Sequence, residues 1–141
     1  MIEIAAAAFL AIIVLAGAAI GAAEAAAAGP PPAPSYTAAQ AEQGATAFEN
    51  DCAQCHGANL EGYSGPALTG AVFTNAYGSL SALLGFIAQN MPFDSPGSLS
   101  HDEYVAIVAF ILSKNGAAPG AASLTFRAGM ASKTPLWKPG Q

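Results

Sequence analysis

Apolar and polar positions follow three different patterns along the chain. From Ile4 to Ala23 every residue is apolar or glycine, and the run is bounded by Glu3 and Glu24. A bilayer-crossing helix needs about twenty such residues, so residues 1–28 are expected to form an apolar helix that is either a signal peptide or a transmembrane anchor. A cleavable signal would carry a basic start and a shorter apolar stretch, yet Ala26, Ala27 and Ala28 offer the small residues a signal peptidase accepts. Both readings place the rest of the chain outside the cytoplasm. Residues 29–36, with Pro30, Pro31, Pro32 and Pro34, cannot continue a helix, because proline lacks a backbone N–H and disfavours helical geometry in its predecessor. The stretch reads as a stiff linker, extending by about 3.1 Å per residue in polyproline form.

The second pattern is helical. Thr37-Ala38-Ala39-Gln40 has capping-box spacing and predicts a helix running to about Asn50, with Gly44 and Phe48 four apart on one face. Leu80, Leu83, Leu84 and Ile87 recur at i, i+3, i+4, i+7, predicting a second helix opened by Ser79 or Ser81 and ending near Asn90, directly before Met91-Pro92. Ser100-His101-Asp102-Glu103 is another capping box; Tyr104, Ile107, Val108 and Ile111 repeat behind it up to a basic last turn and a glycine stop at Lys114-Asn115-Gly116.

The third pattern has no period. Residues 57–78 contain Gly57, Gly62, Gly65, Pro66, Gly70 and Gly78, a loop long enough to need something to wrap. Residues 117–141 are rich in Gly, Pro and Ala with isolated Leu124, Phe126, Leu136 and Trp137, and read as an irregular tail. No alternation of period two appears anywhere, so the fold class is all-α, with one compact domain over 37–116.

Composition narrows the function. Acids outnumber bases nine to four in 141 residues, so no basic field exists to hold a nucleic-acid backbone, and nucleic-acid binding is disfavoured. A domain of roughly 80 residues gains only a marginal fold from apolar burial and benefits from a covalent or metal staple.

Cys52-Ala53-Gln54-Cys55-His56 supplies one. This spacing lets two thiols add across the vinyl groups of a haem while the imidazole reaches the iron, which points to covalent haem c with His56 as a metal ligand. A dithiol redox pair would normally come on a βαβ scaffold, and a zinc site needs four ligands at spacings absent here. A structural disulfide across two intervening residues would restrain the unfolded chain very little. A sixth ligand separates a carrier from a ligand-binding haem. Met91, at a turned and rigid place before Pro92, is the expected donor; Met130 lies in a tail with no evident scaffold, and His101 falls on the first turn of a capped helix, where an exposed polar residue is ordinary. A soft thioether favours ferrous iron, and burial of the ring by Leu60, Leu68, Leu83, Phe86, Ile87 and Ile107 acts in the same direction.

These motifs resemble the class I, single-haem cytochrome c family over about residues 37–116: Gly44 and Phe48, then Cys52 to Gly57, then Gly65-Pro66-Ala67-Leu68, then Met91-Pro92, then a final helix with Ile107 and Phe110. The resemblance implies orthogonal helices wrapped around one haem, with the first and last helices crossing where Gly44 and Phe48 meet Ile107 and Phe110. It also implies that the Pro66 carbonyl accepts the His56 Nδ1 proton. The stretch from Met91 to Ser100 is similar to cytochrome domains that accompany periplasmic alcohol and sugar dehydrogenases. The function this implies is that of a one-electron carrier with no catalysis or small-molecule substrate of its own, or of a fixed haem subunit of a larger oxidoreductase. Its partners would be redox proteins and, if the leader is retained, a membrane.

Overall fold

The computed structural model describes residues 35–133, 135 and 136; the expected signal or anchor at 1–28, the linker before Ser35 and Trp137 lie outside them. Six helices follow one another: α1 (Ala38–Asp51), α2 (Ala53–His56), α3 (Gly70–Ala76), α4 (Leu80–Asn90), α5 (His101–Lys114) and α6 (Phe126–Ala131). Among the described residues there is no strand, only an isolated bridge between Ser79 and Pro135, and the all-α expectation holds.

The three long helices begin where local chemistry starts them. Thr37 accepts from the Gln40 N–H, Ser79 from the Ala82 N–H, and Ser100 from the Glu103 N–H while the Glu103 carboxylate accepts from the Ser100 N–H. Each cap satisfies donors that the first turn leaves without partners. The second expected capping box is complete; in the first, the Gln40 side chain turns elsewhere.

The core is the crossing of α1 and α5, the most extensive helix–helix contact in the fold. Every residue of α5 from Tyr104 to Leu112 is buried, so this helix is apolar all round and sits inside the molecule. At the crossing, a β-carbon on Gly44 would lie 1.8 Å from the Ala106 carbonyl oxygen and 3.0 Å from Phe110 Cβ, and the Phe48 and Phe110 rings pack 5.3 Å apart. The glycine notch therefore works as the resemblance implies, with the Ala106 backbone as its nearest neighbour.

Two elements depart from expectation. Thr69 precedes a short helix, α3, whose one buried side chain is Phe73; seven residues are too few to show a period. The tail expected to be irregular contains α6, capped by the Thr125 side chain, and Leu124 before it is buried. Residues 117–133 run back across the domain. Gly120 N–H donates to the Tyr36 carbonyl, the Tyr36 hydroxyl donates to the Ala117 carbonyl, and the Gln40 amide both donates to Leu124 O (2.7 Å) and accepts from Leu124 N–H (2.8 Å). α6 then lies on α4: Leu84 packs where a β-carbon on Gly129 would be, 2.6 Å from Leu84 Cδ2, and Met130 packs on Gly85. Small residues here admit a neighbour's side chain instead of presenting one, which no periodic pattern records.

Candidate haem-attachment site

The paired thiols and the imidazole sit where α1 gives way to α2. Cys52 caps α1 with its N–H on Phe48 O (2.9 Å), and the backbones of Cys55 and His56 both bond to Cys52 O, so Cys52, Cys55 and His56 are held on a single tight turn. Cys52 is half-buried and Cys55 exposed, and neither is in a disulfide. Burial first, then the Asp51 carboxylate and Cys55, push the Cys52 thiol up to about 12. The neutral form is therefore favoured at Cys52, and a thioether, which carries no charge, removes the penalty of burying a thiolate.

The long loop wraps the imidazole. Gly62 N–H bonds to His56 O, Gly65 N–H to Cys55 O, and Leu68 N–H to Leu60 O, folding the chain back onto the motif. Leu60 makes this possible by adopting a left-handed conformation (φ 63°), uncommon for a branched residue, and it is completely buried. The loop then passes flat across the ring: a β-carbon on Gly65 would lie 2.9 Å from His56 Cε1. The next carbonyl, Pro66 O, stands 2.8 Å from His56 Nδ1, the contact the resemblance implies. With Nδ1–H donated there, Nε2 is the lone pair that could meet a metal, and the ring cannot rotate away. The far end of the loop is pinned by Asn115, whose amide donates to Leu68 O (2.8 Å) and accepts from Gly70 N–H (3.3 Å). In the sequence Asn115 reads only as part of a helix stop.

Met91 caps α4 at its C-terminal end and is half-buried against the core. Its N–H bonds to Ile87 O (2.9 Å), and its carbonyl accepts from the Tyr104 hydroxyl (2.7 Å) and more distantly from Gly97 N–H (3.4 Å). The two competing donors have other occupations. Exposed His101 stacks on Phe126 at 3.8 Å with ring planes 5° apart, so it braces α5 against α6. Met130, far from lacking a scaffold, belongs to α6 and has its sulfur 3.8 Å from where a Gly85 β-carbon would lie. No three His, Cys, Asp or Glu side chains gather into a metal-binding group among the described residues.

Of the apolar residues expected to enclose a ring, Leu60, Leu83, Ile87 and Ile107 are buried in the protein core, Leu68 is half-buried against it and Phe86 is exposed; Tyr63 and Phe93, outside that set, are 88% and 85% exposed. Exposed Phe86, Tyr63 and Phe93 leave apolar surface for a further group to cover. The donor chemistry fits as well: two thiols for attachment, one oriented imidazole and one thioether on a fixed backbone.

Such a fold and motif define a c-type cytochrome domain, whose work is haem-based electron transfer. Residues 39–111 match the model of the family described as cytochrome C oxidase, cbb3-type, subunit III, and the chain belongs to that family. Among solved structures it is similar to a chain in the crystal structure of the sulfane dehydrogenase SoxCD from Paracoccus pantotrophus, with 31% identity over 65% of this chain and a TM-score of 0.54. The match spans about half of that chain (51%). No curated protein matches.

Proposed function

We propose that this protein carries single electrons through one haem c, attached by Cys52 and Cys55 and ligated by His56 and Met91, on the periplasmic side of a bacterial cytoplasmic membrane. The observation that carries the reading is the 2.8 Å contact between His56 Nδ1 and Pro66 O, because a structural histidine has no need of a loop folded flat against its ring to present its other nitrogen. Bound haem supplies a one-electron iron couple. The chain's own residues would set its conditions: Met91 would add a soft thioether to the His56 imidazole, a pairing that favours the reduced form, and with both donors supplied by the chain no position would be left for a substrate. Residues 37–116 form the haem domain in this reading, with 1–28 as signal or anchor and 29–36 as a spacer whose last residue, Tyr36, is buried on the domain.

Intact mass of the matured protein tests the attachment: one added haem is expected, and a matured chain of polypeptide mass alone would refute it. Met91→Ala tests the ligand set, since the sulfur-to-iron charge-transfer band of the oxidised protein should vanish with His56 ligation left intact.

A second reading, a fixed haem subunit of a larger oxidoreductase, is favoured by the comparisons: the family is described as an oxidase subunit, and the similar solved chain belongs to a dehydrogenase. Gentle extraction of the native protein followed by size measurement separates the two, a free carrier running at the mass of the chain and a subunit co-purifying with a larger assembly.

A further inference from the structure

We propose that Tyr104 is the positioning residue for Met91, and that its hydroxyl keeps the thioether side of the haem site closed. This rests on the reading of Met91 as an iron ligand. Methionine loses three side-chain torsions when its sulfur is held in one place, so it is easily released unless its backbone is already fixed. The Met91 backbone is fixed on both sides. Ile87 O takes its N–H within the last turn of α4, and Tyr104, from the first turns of α5, donates its hydroxyl to the Met91 carbonyl at 2.7 Å. Tyr104 is buried, and its hydrogen bond to the half-buried Met91 is partly shielded from water.

The same helix holds the other side of the site. Two residues beyond Tyr104, Ala106 receives the Gly44 notch of α1, and α1 leads straight into Cys52 and His56. α5 thus fixes Met91 by a side-chain hydrogen bond and His56 by a helix crossing, making one rigid body the reference for both donors. Without the hydroxyl, only the longer Gly97 bond at 3.4 Å would restrain the Met91 carbonyl.

The experiment uses the haem-loaded full chain and reads two signals that general destabilisation would not move in a folded protein: the rate of carbon monoxide binding to the reduced form, and the sulfur-to-iron charge-transfer band of the oxidised form. Tyr104→Phe keeps the ring and the core volume. It is expected to raise the carbon monoxide rate about fivefold, the effect of one lost hydrogen bond on the closed-to-open equilibrium, and to weaken the band. Tyr104→Leu, which lacks both a hydroxyl and a sulfur, must behave alike. Ile111→Val, buried on the same helix, should lower the melting temperature while leaving both signals as in the parent. A parental carbon monoxide rate and band in folded Tyr104→Phe would overturn the proposal while leaving Met91 as a ligand. A band that survives Met91→Ala would instead overturn the ligand reading beneath it.

Discussion

Gly44 and Ala106 approach so closely that any side chain on Gly44 must enter the Ala106 carbonyl. The obstacle is backbone in the middle of a buried helix, which cannot step aside as a side chain could. Gly44→Ala should therefore cost about 3 kcal/mol or more, read as a lowered midpoint in urea or thermal unfolding.

Gly129 gives the contrast. A β-carbon there would meet Leu84 Cδ2 at 2.6 Å, the flexible end of a side chain. Gly129→Ala should lose about 1 kcal/mol, as one methyl rotates aside in a packed contact. If both alanine variants lost the same stability, the distinction between rigid and yielding neighbours would be wrong.

The Gln40 amide closes a two-bond clamp on Leu124, residues 84 apart in sequence. Gln40→Ala should lower stability by about 1–3 kcal/mol, since two backbone groups lose their partners. It should also speed amide hydrogen exchange at Leu124. Because residues 117–133 pack on the domain, a chain cut after Gly116 should itself melt lower.

Cys52 carries a pH signature. Its folded-state value, about 12, lies above the ordinary thiol value of 9.0, so the folded protein favours the neutral thiol. The resulting stability is complete below about pH 9 and is lost as the pH rises from there towards 12. Burial also raises Tyr36 and Tyr77 above the ordinary tyrosine value, so they too lose stability on the alkaline side. The test is accordingly a difference: the haem-free parent should lose more stability between pH 9 and 12 than haem-free Cys52→Ala, and equal losses would contradict the assignment.

Glu103 acts in the opposite sense. Hydrogen bonds from the Ser100 backbone and side chain hold its carboxyl below the ordinary value, so its contribution is present at neutral pH and fades as the pH falls through its folded-state value. Glu103→Gln should flatten the acid limb of the stability profile, and Ser100→Ala should cost about 1 kcal/mol.

What the sequence determined by itself was whatever is written locally. Caps at Thr37, Ser79 and Ser100 act on N–H groups three residues away, and the apolar repeats of α4 and α5 need only one helix to be read, so those elements stand where their residues predict them. The Cys52–His56 motif is equally local, because its geometry is confined to one turn. Tertiary structure alone decided the rest: α6 on α4, the Gln40 clamp on Leu124, Asn115 holding the loop at Leu68 and Tyr104 holding Met91. Each joins a polar side chain or a glycine to a partner far along the chain. Backbone carbonyls are the same at every residue, so a sequence shows which side chains can donate and leaves open which carbonyl will receive.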